Sequence, residues 1–193
     1  MKLYLASTSK FKSDILDTTH LFHESIASDY EEVSNKDNVY EYVKELALGK
    51  VKSIEKKVSD GIILGLDTVV YINGKILEKP KSLEEAKKVI KYCQNKTTKV
   101  ITGIALINKK NNEIINDFVE TKVTLRKISN KDINYYIENE PNILNVSGFV
   151  LETIISNFIE KIEGSYYNIL GIPVETIYKY LNNWEIYLSD LEK

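Results

Sequence analysis

The carboxylate in this chain best placed to do chemistry is Asp67, in the stretch GIILGLDTVVYINGKILEKP at residues 61–80. Ile62, Ile63, Leu64 and Leu66 precede it and Val69, Val70, Tyr71 and Ile72 follow, an apolar run that predicts a buried strand. An isolated ionised carboxylate in such a setting is so costly that it must be paired, hydrogen-bonded or bound to a metal. Asn73-Gly74 is a turn signal, and the return through Ile76 and Leu77 predicts a hairpin that carries Lys79 back towards the level of Asp67. A buried acid facing a returning lysine can bind an anion through a metal and a cation together. The same residues also allow a plainer reading, in which an Asp-Thr pair closes a strand end and a solvated lysine precedes a turn.

Two further groups have types and spacing suited to anion chemistry. Ser7-Thr8-Ser9, followed by Lys10-Phe11-Lys12, predicts a hydroxyl-rich turn that opens a helix. The free N–H groups of a first helical turn, with lysines beside them, are the makeup of a phosphate site, and Ser7, Ser9 and Lys12 are its candidate members. Simple capping explains the hydroxyls equally well. The second group is a helix predicted from Asn38, with Val39, Tyr42, Val43, Leu46, Ala47, Val51 and Ile54 on one broad face. Lys50 falls on that stripe, where a lysine either snorkels to water or meets an anion. Its desolvation predicts that Lys50→Met is neutral or stabilising for the fold and weakens binding of the anion.

The elements that must position these groups alternate between strand and helix. Residues 2–6 predict a short strand, part of 22–28 a second, and Ser82-Leu83-Glu84-Glu85 opens a helix that runs through about Tyr92. Residues 97–108 and 113–128 predict two long strands joined by the polar turn at 109–112, and Ser129 caps a short helix that ends before Pro141. Residues 144–162 are apolar and strand-prone, and Pro173 starts a last helix that buries Val174, Ile177, Tyr178 and Leu181. The tail beyond Trp184 predicts an added helix or a partner contact. Consecutive long strands pair as hairpins, so the fold class is α/β with a mixed sheet rather than a parallel Rossmann sheet.

Composition limits the partners. With 193 residues and 43% hydrophobic content the chain can bury one core, or two small lobes sharing one, and a single domain over 1–193 is expected. A net charge of -2 and a pI near 5.8 give no general field for DNA or RNA, so no nucleic-acid polymer is expected as a partner. No apolar run is long enough for a bilayer and the first residues make no signal-peptide core, so no membrane association and a cytoplasmic setting are expected. Cys93 is the only cysteine, which excludes an intrachain disulfide, and the His20/His23 pair lacks other soft ligands. A metal would therefore rest on carboxylates, which points to magnesium or manganese.

Five segments in order, LASTS at 5–9, LDTVV at 66–70 with GKILEKP at 74–80, VITGIAL at 100–106, VETKVTLRKIS at 119–129 and EGSYYNILGIPV at 163–174, resemble the Maf (septum formation inhibitor) family. These are nucleoside triphosphate pyrophosphatases. The resemblance covers nearly the whole chain. It implies an elongated, two-lobed α/β fold with a central cleft, shared with inosine triphosphate pyrophosphatases, and metal-dependent hydrolysis of a nucleoside triphosphate to the monophosphate and pyrophosphate. Carried over by position, it makes Asp67 the proton acceptor, Lys79 and Lys50 catalytic cations, and Glu32 with Asp67 the holders of a magnesium or manganese ion. A homodimer is consistent with the resemblance.

The departures bear on the base and on turnover. Ser9-Lys10-Phe11-Lys12 stands where the family has Ser-Pro-Arg-Arg, so a bidentate guanidinium gives way to a point charge. The family's acid-lysine pair is missing at Leu144-Asn145, and Glu152 stands where a glutamine is associated with the choice of base in the thymidine and uridine triphosphate branch. Phe149 and Glu152 look like the branch that takes 7-methylguanosine triphosphate, whereas Thr68 looks like the pyrimidine branch. Thr68 and Glu152 are thus the candidate base-selecting residues, and the base is either pyrimidine or 7-methylguanine. Two alternatives stand beside this: a pyrophosphatase for deaminated purine nucleotides, and a nucleotide-binding regulator that has lost turnover.

Overall fold

In the computed structural model, which describes residues 1–192, the apolar run around Asp67 is one strand, β3 (Ile62–Ile72). Residues 62–67 are all buried, which is why they read as a continuous apolar run rather than an alternation. The short β1 (Leu3–Leu5) lies parallel to β3, with Leu3 opposite Ile62 and Leu5 opposite Leu64. Parallel to β1 on its other side runs β2 (Glu24–Ser25). β4 (Lys75–Leu77) returns antiparallel to β3 through the Asn73-Gly74 turn, with Val70 opposite Leu77. With β5 (Thr97–Asn108), β6 (Glu113–Leu125) and β7 (Ile159–Glu163) these strands form a seven-stranded mixed sheet in the order β2-β1-β3-β5-β6-β7, with β4 on β3. The fold is mixed α/β.

The first five helices begin where the sequence supplies a capping side chain. α1 (Lys10–Thr18) starts after Ser9, α2 (Val39–Ile54) after Asn38, α3 (Leu83–Cys93) after Ser82 and α4 (Asn130–Asn139) after Ser129. α5 (Tyr166–Ile169) is one turn, and α6 (Val174–Asn183) follows with Pro173 at its cap rather than in its first turn. Val174, Ile177 and Leu181 are buried as expected, while Tyr178 is half-buried.

The chain forms two compact units. The first comprises Met1–Thr68, Ile101–Val119 and the chain from Ser165, the second Val69–Val100 and Glu120–Gly164; β3, β5 and β6 run through both. In the first unit Leu64, Leu66, Ile104 and Leu106 pack with Leu16 of α1 and Ile177 of α6, while Ile63, Ala105 and Ile107 pack with Ala47, Val51 and Ile54 of α2. The sheet is thus covered on both faces there. Ile186 and Leu191 join the first of these clusters, so the tail packs on its own unit, its added helix being one 3-10 turn at Leu188–Asp190.

In the second unit the strand expected over 144–162 is confined to β7. Residues 144–158 are turns and a 3-10 turn over Ile154–Phe158. Their polar groups are satisfied locally: the Val150 N–H donates to the Tyr136 hydroxyl at 2.9 Å and the Thr153 hydroxyl to the Val150 carbonyl at 3.0 Å. Phe149 and Leu151 supply the apolar anchors. The apolar content that suggests a strand is spent on fixing a loop. Among the described residues no helix is long and apolar enough to cross a membrane.

Candidate active site

The first unit brings Asp67 and Lys50 together by a close fit of α2 against the sheet. Cβ atoms added to Gly65 and Gly103 would lie 2.5 Å from the Ala47 carbonyl oxygen and 2.1 Å from that of Val43, so only glycine lets the helix backbone lie so near. Gly65 and Asp67 share one face of β3 because side chains alternate along a strand, and Lys50 is one turn beyond Ala47. Asp67 therefore points at α2 where Lys50 meets it. The Lys50 Nζ is 2.6 Å from Asp67 Oδ1 and 2.9 Å from Glu32 Oε1.

The two carboxylates thus converge on one ammonium, and these oxygens lie no farther apart than the sum of those two contacts. Asp67 is 7% exposed and the Lys50 side chain 13%, whereas the Glu32 side chain is 58% exposed. Burial alone would lower the Lys50 pKa, but Asp67 and Glu32 outweigh it and hold the ammonium above the ordinary lysine value. Lys50 is therefore the built-in partner of a buried acid, so its desolvation is compensated within the protein. The expectation that Lys50→Met would be neutral or stabilising for folding is reversed on that ground.

Glu32 reaches this position from a strap laid along α2. Ser28 Oγ meets Ser53 Oγ at 2.8 Å, and the Ser34 hydroxyl donates to the Glu45 carboxylate. Ser28, Glu32 and Ser34 of the strap thus all meet the helix.

The Ser7–Lys12 turn adds a second cation. The Ser9 N–H donates to Ser7 Oγ at 3.2 Å and the Lys12 N–H to Ser9 Oγ at 3.4 Å, so both hydroxyls are engaged in shaping the turn and capping α1. The Lys12 and Lys50 ammonium groups both reach the Leu66 carbonyl, at 3.3 and 3.5 Å. Two cations thus flank the backbone immediately before Asp67. Thr68, the next residue, shares a 3.0 Å hydrogen bond between hydroxyls with Thr102 on β5.

Lys79 and Glu152 belong to the second unit. The Asn73-Gly74 hairpin forms as expected, with Val70 opposite Leu77; β4 ends at Leu77, and Lys79, two residues beyond it, is exposed. Glu152 is exposed in a turn rather than on a strand face. Tyr42, which the sequence places on the apolar stripe, belongs electrically to the site. Burial first, then the charges of Asp67 and Glu32, push its hydroxyl above the ordinary phenol range, with Lys50 opposing. A half-buried tyrosine on the same helix as the misplaced lysine was the available signal.

Asp67 and Glu32 form an oxygen donor set of the kind magnesium and manganese take. No cluster of three or more His, Cys, Asp or Glu side chains occurs among the described residues. Magnesium is commonly bound through one or two carboxylates and completes its shell with waters and substrate phosphates, so this pair fits it.

The chain is similar to known proteins over nearly its whole length. The sequence profile described as Maf-like protein matches residues 2–184. A dTTP/UTP pyrophosphatase of Thermoanaerobacter sp. (strain X514) is 34% identical over 182 residues, covering 94% of this chain and 95% of the relative. One of Clostridium novyi (strain NT) is 36% identical over 182 residues, covering 93% and 95%. Among solved structures, the Staphylococcus aureus Ham1 protein aligns with a TM-score of 0.47 at 14% identity, over 65% of this chain and 72% of that one.

Proposed function

As the chain belongs to the Maf-like protein family, we propose that it is a nucleoside triphosphate pyrophosphatase acting on dTTP and UTP, with the whole chain as one catalytic domain. The observation that carries the reading is the buried Asp67 bridged to Glu32 by Lys50, beside the Lys12 ammonium. The pyrimidine base is supported by the names of the relatives and by Thr68.

In the proposed reaction a water attacks the α-phosphorus and gives its proton to an Asp67 carboxylate oxygen. The bond from that phosphorus to the α,β-bridging oxygen breaks, and pyrophosphate leaves with the bond electrons. Lys50 and Lys12 offset the charge that develops on the departing phosphates. Lys50 can do so across the physiological range because its neighbours keep it protonated. Ser7 and Ser9 shape the turn that opens α1 and carries Lys12. A magnesium or manganese ion held by Asp67 and Glu32 supplies positive charge against the triphosphate when bound.

The test is release of pyrophosphate, with magnesium or manganese, from dTTP, UTP, 7-methylguanosine triphosphate and inosine triphosphate. The reading expects the highest kcat/KM with dTTP and UTP. Preference for inosine triphosphate would point to a deaminated-purine pyrophosphatase, preference for the methylated guanine would overturn the pyrimidine assignment, and nucleotide binding without pyrophosphate release would point to a regulator.

A further inference from the structure

Between the two serines of the strap, Tyr30 lays its ring on α2 at Gly49. A Cβ added to Gly49 would lie 2.2 Å from Cζ of that ring and 2.4 Å from both Cε atoms. Gly49 is in the interior of a sixteen-residue helix, where glycine costs about 1 kcal/mol relative to alanine. The helix itself has no use for it; the room it leaves is filled by Tyr30. The strap therefore lies on α2 through Ser28 at Ser53, Tyr30 at Gly49, Glu32 at Lys50 and Ser34 at Glu45. Of these four contacts three are polar, with small net worth apiece, and Tyr30 is the one large apolar body.

The geometry points to Tyr30 and Gly49 as positioning residues: the ring seated on the glycine holds the strap so that Glu32 stands against Lys50 and beside Asp67. The role of Glu32 in holding a metal rests on the proposed function, whereas the seating of the strap does not. Gly49→Ala is the direct perturbation. The added methyl meets the far end of a rotatable side chain, so the ring swings away, and the better helix former keeps α2 intact.

Two readouts bear on it, both on the full chain. In the absence of nucleotide and metal, cleavage after Glu31 and Glu32 by a glutamate-specific protease is expected to speed up at least about tenfold in Gly49→Ala. The manganese concentration for half-maximal pyrophosphate release, and for manganese binding followed by the spin resonance of the free ion, is expected to rise roughly tenfold, as when a partner of a metal ligand is lost. Thermal stability stays close to wild type. Tyr30→Val with Gly49→Ala, a smaller side chain on the new methyl, is expected to restore both readouts. Wild-type cleavage in Gly49→Ala overturns the inference, as does a double variant cleaved no more slowly than the single one. If the wild type releases no pyrophosphate from any nucleotide, the proposed function fails, while protease cleavage still decides the role of Tyr30.

Discussion

Lys50→Met tests whether the site is a structural ion pair as well as a catalytic one. The methionine fits the length of the lysine stem but leaves the Asp67 carboxylate, 7% exposed, without the ammonium 2.6 Å away, and leaves Glu32 as a second negative charge nearby. Removing one partner of a buried pair costs about 3–5 kcal/mol, a large share of a total of about 5–15 kcal/mol. For a chain of this length that lowers Tm by about 6–20 °C, measured by calorimetry or by circular dichroism at neutral pH. The double variant Lys50→Met/Asp67→Asn removes both charges and is expected to recover most of the loss. The pH dependence has a definite sign. Because the folded pKa of Lys50 is raised above 10.5, its contribution is fully present below that value and is lost as pH rises through the higher folded one. On that account the stability gap between wild type and Lys50→Met narrows as pH rises into the alkaline range. A Lys50→Met protein as stable as wild type, or a double variant no better than the single one, would refute the reasoning.

Asp67→Asn is expected to lower kcat for pyrophosphate release by at least about a hundredfold with the fold preserved, since Lys50 keeps Glu32 as its partner; circular dichroism and a colorimetric pyrophosphate assay check both halves. Glu152→Gln, at an exposed turn position, is expected to leave the ratio of kcat/KM for dTTP and 7-methylguanosine triphosphate unchanged, and a shift of about tenfold would make Glu152 a base contact. Cys93 is buried on α3 and burial pushes its thiol up to about 11, so a thiol reagent at pH 8 is expected to react only at the rate of unfolding. Rapid labelling of the native protein would contradict its placement.

The parts of the site read from the sequence were those that broke a pattern. Asp67 interrupts an apolar run and Lys50 an apolar stripe, and each anomaly is resolved by the other at 2.6 Å. Helix starts were legible because a capping hydroxyl or amide is a local device, visible within four residues. The strap was not, since Ser28, Tyr30, Glu32 and Ser34 alternate without apolar contrast and pair with a helix rather than a strand. Gly65 and Gly103 carried the closeness of α2 to the sheet, but a glycine in a strand names no partner until the helix is in place. Residues 144–158 misled because apolar side chains anchor a loop as readily as they build a strand. The β3–β4 hairpin was legible from its Asn73-Gly74 turn, again a local device.

The seating of Tyr30 on Gly49 also bears on how this chain can drift over evolutionary time. Side chains at 29, 31 and 33 are exposed, so substitutions there are close to neutral and accumulate independently. Positions 30 and 49 are locked in size: a bulkier residue at 49 is viable only once residue 30 has shrunk, and the reverse order opens a gap that is tolerated more easily. Lineages descended from such a sequence should therefore lose the aromatic at 30 before they lose the glycine at 49, and a collection in which large residues occupy both positions at once would contradict that order.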